Sequence, residues 1–289
     1  MNVIRRTIQL GLSLCFSLGS LVACTTGTMH TQEQDGTMSL LAQCEKAFHQ
    51  GNIDRALEHA SEAIRLTPDR AEAWNARGFV YASQGQMGEA LNDLTKAVQL
   101  HPTNPSYQSN LGVAFLESGK PDLALIAFNK ALQLGPPSAL MLKHRGLAHR
   151  HLGKLKGALH DFDAAARLNG QDATIYANRA VVYALQQDHR EATRDLDHAA
   201  ELNDAIPEIY QSRGLIEMLE GRFDKAEKDF SRAVALGVSD NLLYYNRGVA
   251  RSILGDSTGA QEDYAHSCRS GYRPACSFNR FISRTVSAL

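Results

Sequence analysis

The chain has few aromatic residues, no block of like charge and no apolar run long enough to cross a membrane comfortably. Aromatic residues make up 7% of its 289 residues, and the formal net charge of -1 comes from intermixed acidic and basic residues. The mixed charge excludes a nucleic-acid-binding arm and a polybasic membrane surface. Hydrophobic residues still make up 44% of the chain, which excludes a disordered polypeptide because that content can bury a core.

The sequence also lacks the motifs that mark common active sites. It contains no Gly-rich phosphate loop, no nucleophile elbow and no zinc-protease helix. His144, His149 and His151 lie close together in the sequence, but no Cys, Asp or Glu completes a metal-ligand set beside them. A glycan hydrolase would need paired carboxylates in a pocket, whereas the acidic residues here recur at positions that packing explains. We therefore expect no enzyme activity, no metal and no cofactor.

The first 24 residues have the layout of a secretory signal. Two arginines precede an apolar run at residues 10–23, and this run ends in Leu-Val-Ala immediately before Cys24. This ending resembles the lipobox of bacterial lipoproteins, which implies removal of residues 1–23 and acylation of Cys24. A plain secretion signal followed by a chance cysteine is the alternative.

The lipoprotein resemblance also implies where the protein resides. Several acyl chains on Cys24 would hold it to a membrane stably, which one chain would not do. Thr25 follows, in place of the Asp that in this family often signals retention at the inner membrane. In a host with two membranes the resemblance thus implies the outer membrane, with the protein facing the periplasm. Residues 24–36 are polar with no apolar period, and we expect a lipidated, flexible tether there.

A unit of 34 residues repeats seven times without insertion or deletion. The clearest copy, at 71–104, carries Trp74, Gly78, Tyr81 and Pro102 at characteristic spacing. This pattern resembles the tetratricopeptide repeat, which implies an all-α, right-handed α-solenoid of helix-turn-helix units. We number the positions of each unit as slots 1 to 34. The units are 37–70, 71–104, 105–138, 139–172, 173–206, 207–240 and 241–274.

Small and large residues alternate at fixed slots of the unit. Slot 8 is Gly in every unit except for Cys44 and Ala180, and slot 20 is always Ala. Slot 24 is Leu, Phe or Tyr from the second unit onward. We expect the small residues to let two helices approach closely while the slot-24 side chain fills the remaining space. Glycine at slot 15 is typical of the end of the first helix.

Arginine at slot 7 and aspartate at slot 23 occur together or not at all. Five units have both, and the other two lack both. Pairing within a unit fits every copy, so we predict an ion pair that bridges the two helices of one unit and serves register more than net stability. The pairs are Arg77 with Asp93, Arg145 with Asp161, Arg179 with Asp195, Arg213 with Asp229, and Arg247 with Asp263.

The last residues are suited to closing the stack. A repeat array needs a final element with a polar outer side, and residues 275–289 carry Phe278, Phe281 and Ile282 at helical spacing. We expect a capping helix there. Cys268 and Cys276 flank the turn before it, and an oxidising compartment would favour a disulfide between them. Two separate core thiols are the alternative.

In the tetratricopeptide family the first helices line a concave groove that holds a peptide. Slots 9 to 13 are largely apolar here and include Leu185, Leu219 and Ile253. Asparagine amides could bond a peptide backbone without choosing its sequence, and the basic residues of the fourth unit predict an acidic or carboxylate-bearing ligand. Solvated basic residues and slot-9 residues packed between helices are the alternative. The candidate lining residues are Asn75, Phe79, Asn110, Val113, Lys143, His144, Leu147, Arg150, His151, Asn178, Val181, Leu215 and Asn246.

Taken together, these features predict a membrane-anchored, non-catalytic scaffold that binds another protein or peptide, with no nucleic acid. The combination resembles lipoprotein pilotins, which help to assemble pilus or secretion channels. It equally resembles lipoprotein adaptors that present cell-wall hydrolases to a protease. A purely structural homo-oligomer is a third alternative. The carboxylate clamp of the chaperone-binding family members is absent, so recognition of chaperone tails is not expected.

Overall fold

The computed structural model describes residues 28–277, with side chains described from residue 36 onward. Within this range there are fourteen α-helices and no strand, which confirms the prediction of an all-α fold. The helices are α1 (Thr28–His49), α2 (Ile53–Leu66), α3 (Ala71–Ser83), α4 (Met87–Leu100), α5 (Pro105–Glu117), α6 (Pro121–Leu134), α7 (Ala139–His151), α8 (Leu155–Leu168), α9 (Ala173–Leu185), α10 (His189–Leu202), α11 (Pro207–Leu219), α12 (Phe223–Ala235), α13 (Asn241–Ile253) and α14 (Ser257–Arg269).

The helices divide between two compact units, one ending at Lys154 and the other beginning at Leu155. The first compact unit contains the hairpins α1–α2, α3–α4 and α5–α6 together with α7. The second contains α8 and the hairpins α9–α10, α11–α12 and α13–α14. Odd-numbered helices are the first helices of the sequence repeats. In each compact unit, a second helix packs against the first helix of the next hairpin.

Close contact between slots 8 and 24 holds each hairpin together, as the sequence predicts. A Cβ atom added at Gly112 would lie 2.8 Å from the Phe128 ring, and one at Gly214 would lie 2.7 Å from the Phe230 ring. In the first hairpin the relative sizes of the two residues are reversed. Slot 8 is the larger Cys44, and it shares a buried cluster with the small Ala60 at slot 24.

The predicted tether and the predicted capping helix lie at the two ends of the chain. Residues 28–36 were expected to form part of a flexible tether, but α1 begins at Thr28 and is continuous to His49. This segment contains no proline, and extending a helix that is already packed requires no new nucleation. Residues 1–27, including Cys24, and residues 278–289 lie outside the described part. The chain is helical again at 273–277, where Ala275 is buried against Ala260 and Tyr264.

No helix among residues 28–277 has both the length and the hydropathy needed to cross a bilayer.

The turn within each hairpin requires a left-handed residue at slot 15. Glycine supplies it in six of the seven repeats, for example at Gly85 with φ 77° and Gly221 with φ 74°. The remaining turn, between α9 and α10, has Gln187 at this slot with φ 65°. A side chain in this conformation costs about 1 kcal/mol because its Cβ approaches the carbonyl oxygen.

We therefore predict that Gln187→Gly raises the free energy of unfolding by about 1 kcal/mol. The measurement is urea unfolding followed by far-UV circular dichroism. Gln186→Gly is the matched control, since Gln186 has φ −88° and glycine there should lower stability by about 0.5–1 kcal/mol. Equal effects of the two substitutions would show that backbone strain at Gln187 is not the cause.

Candidate functional site

The slot-7 arginines bind the slot-23 aspartates of their own hairpins. Arg77 donates to both carboxylate oxygens of Asp93 from Nε and Nη2, at 2.7 and 3.0 Å. Arg213 makes the same bidentate contact to Asp229 at 2.8 and 2.7 Å. Arg179 with Asp195 and Arg247 with Asp263 repeat this geometry. Arg145 and Asp161 belong to different compact units, and their pairing stays a prediction.

Each of these arginines also reaches back to the preceding hairpin or helix. The third nitrogen, Nη1, donates to slot 25 of the unit before, for example from Arg213 to Asp197 at 2.7 Å. We call the slot-7 arginine with its slot-23 and slot-25 partners the arginine clamp. The other slot-25 acceptors are Ser61 for Arg77, Asn129 for Arg145, Asp163 for Arg179 and Ser231 for Arg247.

Sequence reasoning missed this second contact, although a signal exists. Slot 25 is Ser, Asn or Asp wherever the following unit has the slot-7 arginine, and it is Thr95 before Leu111, where the arginine is missing. Aromatic rings at slot 4 also contact the clamp arginines. The guanidinium of Arg213 lies 5.4 Å from the ring centre of Tyr210. The hydrogen bonds to Asp229 raise the pKa of Arg213. These charges are thus occupied in holding hairpins together.

Five of the predicted groove residues are buried, which differs from the open lining that we expected. They are at most 8% exposed. Asn110 Nδ2 donates to Asn75 Oδ1 at 2.9 Å, so these two amides bond each other in place of a peptide backbone. Two amides that are removed from water on adjacent helices can thus satisfy each other's need for a hydrogen-bond partner. The five residues are Asn75, Phe79, Asn110, Lys143 and His144.

The predicted basic spot is less accessible than expected. Lys143 and His144 are buried, and the His144 ring stacks on Phe128 at 6.4 Å with an interplanar angle of 9°. Arg150 is half-buried, and burial lowers the pKa of its guanidinium. His151 is exposed, but desolvation and the nearby Arg150 charge lower the pKa of its imidazole. A lowered pKa leaves this histidine neutral at pH 7.

The remaining groove candidates are more accessible. Val113, Leu147, Val181 and Asn246 are half-buried. Asn178 is also half-buried, and its Nδ2 donates to the Thr174 carbonyl oxygen at 2.7 Å. Leu215 is exposed.

Five large apolar side chains are exposed on the first helices of the second compact unit. They lie at slots 2, 9 and 13 and are between 38% and 74% exposed. These slots fall within about 40° of the circumference of an ideal helix, so they lie on one side of each helix. Slot 2 was outside the predicted groove, which is why sequence reasoning missed Leu242. We call this set the second-unit face; it consists of Leu185, Leu215, Leu219, Leu242 and Ile253.

Comparison with known proteins identifies the repeat. A family model described as a TPR repeat matches residues 47–85 and 80–119. A tetratricopeptide repeat protein from Parabacteroides merdae has a crystal structure that superposes with a TM-score of 0.65 at 20% identity, covering 86% of this chain and 99% of that one. The fold is a tetratricopeptide-repeat solenoid. No curated protein matches the sequence significantly.

Two other solved structures resemble this chain. PilW, described as a widely conserved type IV pilus biogenesis factor, has a TM-score of 0.63 at 14% identity and covers 73% of this chain and 94% of its own. YrrB, described as a TPR protein with an unusual peptide-binding site, has a TM-score of 0.51 at 20% identity and covers 65% of this chain and 96% of its own. At these identities the likeness shows the fold. Tetratricopeptide proteins bind peptides or other proteins and are generally non-catalytic scaffolds.

A cleft of about 840 Å³ lies beside α10 in the tetratricopeptide stack. Its walls carry four arginines and four acidic residues, so no single charge dominates. Several of these charges are already paired, including Arg179 with Asp195 and Arg222 with Glu220. No predicted groove residue lines this cleft in the part of the chain that is described.

Three cysteines lie in the described part of the chain. Cys268 and Cys276 form a disulfide. Cys44 is a buried free thiol, and burial, with a smaller contribution from Glu45, raises its pKa to about 11. A thiol with so high a pKa is a poor nucleophile at neutral pH. Across residues 28–277, no three His, Cys, Asp or Glu side chains come close enough to hold a metal ion.

The arginine clamp predicts unequal roles for two aspartates that bind the same guanidinium. Asp229→Ala should lower the free energy of unfolding by about 3–5 kcal/mol, because it leaves Arg213 partly buried without its bidentate partner. Asp197→Ala should cost about 1 kcal/mol or less, since the Asp197 side chain is 55% exposed. Urea unfolding of both variants tests this. Similar losses would mean that the contact between hairpins matters as much as the contact within one.

Proposed function

We propose that this protein is a membrane-anchored, non-catalytic scaffold that binds a partner protein on the second-unit face. The observation that carries the proposal is the clustering of exposed apolar side chains. In the described part of the chain, five of the nine large exposed hydrophobic residues belong to this face. Such a cluster is unfavourable in water and typically marks an interaction surface.

The fold supports a scaffold without catalysis. The slot-7 arginines are engaged in the arginine clamp, where Arg77, Arg179, Arg213 and Arg247 each bind a slot-23 aspartate. A catalytic pair would need a carboxylate or imidazole directed at an open pocket. The second-unit face instead offers leucine and isoleucine side chains, which bind by burial.

The proposed anchor is the acylated Cys24. The basic residues, the apolar run and the small residues before this cysteine support lipoprotein processing. Two or more acyl chains would tether the repeats to the membrane stably. Thr25 supports placement at the outer membrane, facing the periplasm.

Within the envelope, we propose a role in assembling a complex such as a pilus or secretion channel. The support is the similarity of fold to PilW, which is described as a type IV pilus biogenesis factor, together with the lipoprotein-like start of the chain. A scaffold held at the membrane would raise the local concentration of its partner near the assembly site.

The anchor predicts a change of location in Cys24→Ala. This variant should move from the membrane pellet to the soluble fraction after cell lysis and ultracentrifugation, because it cannot be acylated. Mass spectrometry of the amino-terminal peptide of the wild type should find acyl groups on Cys24. Cys44→Ala is the control and should stay in the pellet. An unmodified Cys24 would contradict the anchor.

The binding surface predicts the loss of a specific partner. Cross-linking in intact cells, purification and mass spectrometry should identify an envelope protein bound to the wild type. Leu215→Glu should reduce its recovery about tenfold, since a charge in a buried apolar contact is costly. Ile126→Glu is the matched control, because Ile126 is 66% exposed on the second helix α6 and should bind normally. Equal recovery with both variants would exclude the second-unit face as the binding surface.

A further inference from the structure

The second helix α6 has an exposed apolar pair that is not part of the second-unit face. Leu123 is 43% exposed and Ile126 is 66% exposed. They occupy slots 19 and 22, where each of the other six second helices in the described chain has polar residues or glycine. The pair is therefore not required by the repeat, and it lies on a second helix, outside the groove formed by the first helices. Large apolar residues grouped in water typically mark an interaction surface.

Two opposite charges flank this apolar pair. Asp122 lies four residues before Ile126 and Lys130 lies four residues after it, and both side chains are exposed. On an ideal helix these residues and Leu123 fall within about 60° of the direction of Ile126. Among residues 36–277, no ion pair involves Asp122 or Lys130. We call Asp122, Leu123, Ile126 and Lys130 the α6 patch.

The α6 patch is complementary to itself. When two copies of a helix meet in antiparallel orientation about a twofold axis, a residue on the axis faces its own copy, and residues equally far to either side face each other. With Ile126 on the axis, Asp122 and Lys130 lie about 6 Å to either side of it along the helix. Each Asp122 would thus meet Lys130 of the second copy, and two ion pairs would flank the apolar contact.

The spacing of the α6 patch also suits helix packing. Asp122, Ile126 and Lys130 form one row of residues four apart, and the interdigitation of two such rows is the commonest way in which helices pack. Leu123 lies beside this row and adds apolar area to the contact. Opposite charges across a contact favour one partner and one orientation over others. The charge pattern therefore points to a second copy of this chain as the occupant.

The other second helices of the described chain are not self-complementary in this way. On α12, Asp224 and Arg232 have opposite charges at slots 18 and 26, but Lys228 at slot 22 would face its own copy. Like charges that face each other repel. Elsewhere slot 22 is also polar or charged, so an apolar contact on the twofold axis is confined to α6. The slot-22 residues of the other six second helices are Glu58, Asn92, His160, Arg194, Lys228 and Glu262.

The size of the contact sets where pairing would occur. A single helix of 14 residues provides it in each copy, whereas stable protein interfaces bury about 800 Å² on each partner. Two copies in dilute solution would therefore associate weakly. Molecules tethered to one membrane have a much higher effective concentration for each other, so the proposed anchor at Cys24 would favour the pair.

We propose that this protein forms a twofold-symmetric dimer through the α6 patch. The two α6 helices lie antiparallel, with Ile126 packed against its own copy and each Asp122 paired with Lys130 of the second copy. The contact does not use the second-unit face, so a dimer offers two such faces to partner proteins. This inference goes beyond the proposed function, and it does not require that a partner is bound.

The first test is cysteine cross-linking of the full chain in intact cells with copper phenanthroline as the oxidant. Ile126→Cys should give a disulfide-linked dimer in about fivefold or higher yield than Asn92→Cys, since a disulfide needs Cα atoms within about 7 Å of each other. Asn92 is the matched control because it is exposed at slot 22 of α4. Wild type reports any link through the native cysteines. Equal yields from the two variants, or a link from Ile126→Cys to a different protein instead, would overturn the proposal.

A charge exchange tests the pairing of Asp122 with Lys130. In the Ile126→Cys background, Asp122→Lys and Lys130→Asp should each lower the dimer yield about fivefold, because both ends of the contact then bring like charges together. The two substitutions combined in one chain should restore the yield, since each charge again meets its opposite in the second copy. Circular dichroism of each variant checks the fold. A double variant that stays as weak as the single ones would rule out the antiparallel pairing.

The outcomes separate this proposal from the proposed function. Leu215→Glu should leave the dimer yield of Ile126→Cys unchanged, because Leu215 lies on a different surface. If the dimer forms and the cell-derived partner is recovered equally with Leu215→Glu, the proposed function fails and the dimer stands. If Leu215→Glu loses the partner and Ile126→Cys gives no dimer, the dimer fails and the proposed function stands. Ile126→Glu removes the dimer contact but leaves the second-unit face of each copy in place, so it remains the control for partner capture.

Discussion

The arginine clamp is the interaction on which the stack of hairpins depends. One guanidinium donates two hydrogen bonds to an aspartate of its own hairpin and a third to the helix before it, as Arg179 does with Asp195 and Asp163. Arginine keeps its charge at every pH in which the protein is folded, and its planar fork matches a carboxylate. A single side chain thus fixes both the crossing of two helices and the position of the next hairpin. Repeating it along the chain carries the register from one hairpin to the next.

The junction between α4 and α5 shows what replaces the clamp where the arginine is missing. Leu111 occupies slot 7 there and packs in a buried cluster with Leu94 and Ala114. On the adjacent first-helix side, the bond between Asn110 and Asn75 supplies the polar link between hairpins. At this junction, apolar burial and a hydrogen-bonded amide pair therefore join the hairpins, as one guanidinium does elsewhere. No ion pair has to be desolvated here.

At slots 2, 9 and 13 the first helices of the second compact unit have a single charged residue, Glu208. The slot-7 arginines lie more than 100° away around the same helices, so the apolar side chains of the second-unit face have few charged neighbours on their own helices. In the first compact unit several of these slots are charged or buried. Phe79, for example, packs edge-on against Phe48 with ring centres 5.0 Å apart.

The repeat length, the hairpins, the close approach of slots 8 and 24 and the arginine–aspartate partnership within a hairpin were determined by the sequence itself. Each of these depends on residues that recur at fixed spacing in a regular helix. Only the tertiary structure decided which first-helix residues are open to a partner. A slot gives the direction of a side chain but not what a neighbouring helix places over it: Asn75 and Leu219 point to the same side, yet one is buried in a hydrogen bond and the other is 74% exposed. The contact from slot 7 to slot 25 likewise required the structure, because it joins residues of successive repeats whose distance depends on how the hairpins stack.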